Sequence, residues 1–214
     1  MAGLLVLLVT LPAPAHASRV RDLSLTEMAT KAGSIFSGQV SSAVAATVHG
    51  LPVTRVTFEV DDDIKGTPGE SITLTLLGGD RQHGLPYRVP GLPQFRAGEE
   101  WLLLAYPPSE AGLTSPVGLF QGAFRVRTGA AGDRTVAIPG SRRALMVDLR
   151  QAGLMGATAR AGAGTTVPYK ALMQHLRDLV AGVPQATGAA AGRRPSAATD
   201  LEAAAAARAA GRRP

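Results

Sequence analysis

Residues 53–79 read VTRVTFEVDDDIKGTPGESITLTLLGG, and this stretch decides the fold class. Val56, Phe58 and Val60 alternate with Arg55, Thr57 and Glu59; further on, Ile72, Leu74 and Leu76 alternate with Ser71, Thr73 and Thr75. A period of two with β-branched residues on the polar face marks half-buried β-strands. Lys65-Gly66-Thr67-Pro68-Gly69, with Asp61-Asp62-Asp63 before it, reads as an acidic turn joining them.

Upstream, Ser34 to Val48 reads as a long strand carrying Phe36, Gly38, Val40 and Val44 on one face, with Gly38 marking a bulge or sharp bend. A short helix precedes it. Ser24 and Glu27 have the spacing of a capping box, Leu25, Met28, Ala29 and Ala32 form the apolar stripe, and Gly33 ends the helix. Downstream, Trp101 to Tyr106 is apolar on both faces, which predicts a central strand with Trp101 in the core. Val117–Phe120, Ala123–Arg127 and Thr135–Ile138 predict three short strands, the last two joined by a turn at Gly129–Asp133. Arg125 and Arg127 alternate with Phe124 and Val126 and read as a solvated strand face.

The period then lengthens. Leu145, Leu149 and Ala152 have helical spacing within Ser141–Gly153, although Leu145-Met146-Val147 would also suit a strand; Ala157–Thr165 reads as a linker, and Thr166–Ala181 predicts the best helix, with Pro168 in its first turn and Gly182 and Pro184 beyond its end.

The ends differ in composition. Gly3–Leu11 is a short apolar run, broken by Pro12 and Pro14 and followed by Ala15-His16-Ala17, which predicts a signal peptide over residues 1–17. That run is far shorter than the about 20 residues needed to span a bilayer, so export to the periplasm or medium with no retained span is the expectation. The tail, 185–214, is rich in Ala, Gly, Pro and Arg with no apolar stripe, and predicts disorder. Half of the formal +6 charge sits there: five arginines oppose Asp200 and Glu202. The resulting organisation is a signal peptide over 1–17, a β-domain over 18–140, a helical extension over 141–184 and the tail.

The blocks Ala32–Val40, Val53–Val60, Ile64-Lys65-Gly66, Ile72-Thr73-Leu74 and Ala97–Leu104 follow one another in an order that resembles the netrin-like modules. These include the tissue inhibitors of metalloproteinases and uncharacterised exported bacterial proteins. The resemblance covers residues 32–106 and implies a mainly β fold: a small Greek-key OB-like β-barrel with a short N-terminal helix and a C-terminal helix packed on it. The animal inhibitors present a mature N-terminal cysteine to the protease zinc. This chain has no cysteine, so that mode of inhibition carries over to no residue, and stability rests on packing without disulfides.

Candidate chemistry is sparse. His49, His83 and His175 are far apart, and Asp61-Asp62-Asp63 lacks the alternation and terminal Glu of a calcium loop, reading instead as a charge that keeps a hairpin end soluble. No nucleophile elbow, phosphate loop or dinucleotide fingerprint occurs. The sequence therefore predicts no catalytic residue, no metal ligand and no cofactor. The connection from Gly78 to Gly98, rich in Gly and Pro, has the length of a binding loop, and Asp80, Arg81, His83, Tyr87 and Arg88 are its candidate contact residues. The leading expectation is a protein-binding module engaging another exported or envelope protein, a protease among the possibilities. The alternatives are an OB-type binder of single-stranded nucleic acid or anionic polysaccharide, and an unrecognised hydrolase.

Overall fold

The computed structural model describes residues 21–66, 69–79, 86–139, 142–156 and 165–182. In chain order these form α1 (Leu25–Lys31), β1 (Ser34–Val48), β2 (Leu51–Lys65), β3 (Ser71–Leu77), β4 (Glu100–Ala105), β5 (Ala123–Thr128), β6 (Arg134–Ala137), α2 (Arg143–Gln151), β7 (Thr166–Pro168) and α3 (Tyr169–Gly182). The signal segment, the tail and most of the expected linker lie outside the described residues.

The chain is mainly β, with one antiparallel seven-stranded sheet in the order β3-β2-β1-β4-β5-β6-β7. Its ladder does not close on itself; β3 and β7 are the two edges. A segment after β4 spans one end. The Tyr106 N–H donates to Ser115 O (3.0 Å) and the Thr114 N–H to Thr75 O (2.9 Å), so residues 114–115 link the end of β4 to β3.

The sheet is apolar on both faces, which explains why β4 lacks alternation. Leu102 and Leu104 face a core shared with α1, α2 and α3, through Met28, Leu145, Leu149, Leu172 and Leu176. Trp101, Leu103 and Ala105 face a second core with Phe36, Val56, Phe58, Leu74 and Phe95. A central strand buried on both sides is a continuous apolar run.

Helix α1 forms as its sequence dictates: the Ser24 side chain accepts from the Glu27 N–H while Glu27 reaches back to the Ser24 N–H. Ala32 is the C-cap, and Gly33 serves a different purpose. A side chain at Gly33 would collide with the Pro107 backbone. Helix α2 is short and has no side-chain cap from its own N-cap residue, so distant residues supply the partners. Asp22 accepts from the Ala144 N–H (2.8 Å), and the buried Arg142 guanidinium donates to the carbonyls of Phe120 and Gln121.

Several expectations are corrected. Asp61–Asp63 are strand residues, not turn residues. β2 continues to Lys65 because β1 bends with it, pairing Ser37 with Asp62 and Phe36 with Asp63. Val44 does not share the face of Phe36: Ser41 is an extra residue between the Val40–Phe58 and Ser42–Thr57 pairs, which inverts the strand's phase and leaves Val44 58% exposed. Val117–Phe120 is a succession of turns, with Gly118 at φ 62° and Leu119 at φ 66°. The final helix starts later than expected, because Thr166–Pro168 pairs with β6 before Tyr169 opens α3. Within the 78–98 connection, Tyr87 makes a single bridge to Gly79.

Candidate functional site

Two places gather side chains that the sequence leaves far apart. The first lies where β1 and β2 bend. Ser37 is fully buried, and the Tyr169 hydroxyl lies 2.8 Å from its Oγ and 3.2 Å from Asp62 Oδ2. The Arg134 guanidinium stacks over the Tyr169 ring, 3.9 Å from its centroid, pairs with Glu100 and approaches Asp61 (3.3 Å) and Ser37 (3.4 Å). Arg177 on α3 pairs with Asp62.

The carboxylates that read as an acidic turn thus clamp β6 and α3 to the bend. Two arginines and a tyrosine partner the clamp's carboxylates, and Ser37 faces a phenol and a guanidinium. These contacts tie β6 and α3 to the bend of β1 and β2, so the arrangement holds these elements together.

Burial pushes the Tyr169 hydroxyl above the ordinary phenol range, against the lowering effects of Ser37 and Arg134. A phenol whose folded pKa exceeds its unfolded value stabilises fully below the unfolded pKa of about 10, and the contribution declines as pH rises past it. Wild type should therefore lose more melting temperature than Tyr169→Phe between neutral pH and pH about 11. Equal losses would show that the phenol is not held in its neutral form.

The second place is a groove of about 220 Å³ lined by residues of β1, β2 and β3 and of the 86–95 segment. Val56, Leu76, Leu77 and Phe95 are its buried apolar members, while Ala43, Ala45 and Arg88 are exposed members. Both ends of the covering segment are fixed. At one end the N–H groups of Gly79 and Tyr87 donate to each other's carbonyls (2.8 and 2.9 Å). This pairing requires glycine at 78, whose φ is +101° and where a Cβ would stand 2.9 Å from Tyr87 O. At the other end Phe95 packs edge-on against Phe58 (5.5 Å) and Trp101 (4.9 Å).

Of the sequence candidates, Tyr87 and Arg88 line this groove, and Asp80, Arg81 and His83 lie outside the described residues. Ala43 and Ala45 escaped the sequence reading because the bulge at Ser41 disguised which face they occupy. Arg125 is also not simply solvated: it pairs with Glu99 and lies over the Trp101 ring at 4.9 Å.

Among the described residues there is no group of three or more side chains suited to hold a metal ion, and no helix long and apolar enough to cross a membrane. No protein-family model matches the chain, and no curated protein or solved structure matches it either.

Proposed function

We propose that the chain is an exported, non-enzymatic protein-binding module of the netrin-like, OB-barrel kind, which engages another exported or envelope protein, a protease among the candidates, through the groove beneath residues 86–95. The observation that carries this reading is the groove itself: a long Gly/Pro-rich connection pinned at both ends over an apolar floor, with exposed Arg88 beside it. A scaffold-held loop of this kind is where binding residues concentrate. The barrel reading is supported by the link from Thr75 through residues 114–115 to Tyr106, which spans the strands between β3 and β4.

Protein recognition is favoured over single-stranded nucleic acid by the aromatics. Stacking on bases needs exposed rings; Phe36, Phe58 and Phe124 are at most 1% exposed, and Phe120, 42% exposed, does not line the groove.

The test is affinity capture on the immobilised full chain from extracellular and envelope extract, at low and moderate salt. The expected result is one stoichiometric, salt-resistant protein whose capture drops when Arg88 is replaced by Glu. Recovery of salt-labile anionic polymer alone, or capture indifferent to Arg88→Glu, would contradict the reading.

A further inference from the structure

Among the described residues, the outer half of β1 has one paired edge and one open edge. β4 pairs with β1 only from Ser34 to Gln39. Val40 takes the last bonds on that side, donating to Glu99 O and accepting from the Gly98 N–H, both at 2.8 Å. From Ser42 to Val48 the strand pairs with β2 alone among the described residues.

The phase of that edge follows from one proline. Thr47 stands opposite Pro52, which has no N–H to give, so this is a non-hydrogen-bonded pair. Antiparallel pairs alternate. Val44, Ala46 and Val48 therefore bond to β2, and Ala43, Ala45 and Thr47 turn both N–H and C=O away from it. The His49-Gly50 turn agrees: both residues have positive φ (49° and 77°), as in the two-residue hairpin turn that follows a hydrogen-bonded pair such as Val48–Leu51.

Ala43 and Ala45 are the same residues that line the groove. An open edge and an apolar groove thus adjoin, separated only by methyl side chains. Natural edges are commonly blunted by Lys, Pro or inward charge, yet residues 41–48, SSAVAATV, contain none of these.

The charge here has one sign. Residues 41–58 include a single charged side chain, Arg55, residues 86–95 include only Arg88, and residues 71–79 include none. Arg55 lies on the opposite face from groove-lining Val56, so Arg88 is the charged member of the groove. This disfavours a second copy of the chain, whose matching edge, residues 41–48, brings no carboxylate to Arg88, and favours a segment bearing carboxylates.

We propose that this is a strand-addition site: an extended, acidic segment of a partner protein pairs with the Ala43–Thr47 edge, sets an apolar side chain into the groove and places a carboxylate against Arg88. Main-chain pairing supplies affinity in this mode and the groove supplies sequence preference. The proposal rests on the protein-binding reading and specifies how that surface is used.

The probe is a displayed library of linear peptides panned against the full chain. Enriched peptides should alternate apolar residues and carry Asp or Glu. A synthetic one should slow amide exchange at Ala43, Ala45 and Thr47, and Ala45→Pro should weaken its binding at least about ten-fold, or 1.4 kcal/mol. The proline removes an outward N–H and leaves the bonds to β2 in place, and the exchange readout on wild type does not depend on the variant's folding. Failure to enrich any peptide, a peptide that leaves those three amides unchanged, or self-association of the chain through this edge would overturn the proposal. A peptide lost on Arg88→Glu that never protects those amides would sink strand addition while leaving the protein-binding reading intact.

Discussion

Replacing Phe58 with Ala should lower stability by about 3 to 5 kcal/mol, the usual cost of truncating a fully enclosed aromatic ring. Phe58 is 0% exposed and sits edge-on to Phe36 at 5.4 Å and to Phe95 at 5.5 Å. Leaving a void there removes contacts from both neighbours, and the rest of the second core is already committed to the bend of β1 and β2. A functional consequence follows through Phe95, which anchors one end of the segment over the groove. Denaturant unfolding should show the loss, and Phe58→Leu should recover part of it. A near-neutral Phe58→Ala would mean that the ring does not fill the core.

Gly38→Ala should be nearly as damaging, at about 3 kcal/mol, the upper part of the range for overpacking. Gly38 lies at a register shift in β1, facing Val60 on β2 and Trp101 on β4. A Cβ built there falls well inside contact distance of the Glu59 carbonyl oxygen and 3.2 Å from Val60 Cα. These are backbone atoms of a paired strand and cannot rotate aside. Separating the strands at this point would also displace Ser37, and with it the hydroxyl that meets Tyr169 and Arg134. A change within about 0.5 kcal/mol, typical of surface substitutions, would show that the strands do not approach so closely.

Local chemistry was largely legible in the sequence. The capping box at Ser24 and Glu27, the alternation of Val56, Phe58, Leu74 and Leu76, the two-sided burial of β4, the turn at Gly129–Asp133 and the bend at Gly38 all appear where residue pattern placed them. These features depend on near neighbours or on one strand's own periodicity. What the sequence hid depends on distant partners or on a single inserted residue. The bulge at Ser41 inverts the face of everything up to Val48, and no pattern in Ser41–Val48, made of small residues, reveals it. Asp61 and Asp62 read as turn charges because their partners, Arg134, Tyr169 and Arg177, lie more than seventy residues downstream. Thr166–Pro168 reads as a helix start because its pairing with β6 is invisible locally.

The candidate site was half legible. The length and composition of the 78–98 connection pointed to Tyr87 and Arg88, which line the groove. Its other wall is β1, where Ala43 and Ala45 carry no chemistry of their own and matter through the backbone they leave accessible. The available signals were Pro52 in the partner strand, the His49-Gly50 turn and the uncharged run before it.

The most direct test of the account is residue-resolved amide hydrogen exchange on the free full chain. The open edge predicts fast exchange at Ala43, Ala45 and Thr47 and strong protection at Val44, Ala46 and Val48, an alternation along one strand. Uniform protection from Ala43 to Val48 would show that the edge is already occupied in the free protein and would contradict the site placed there.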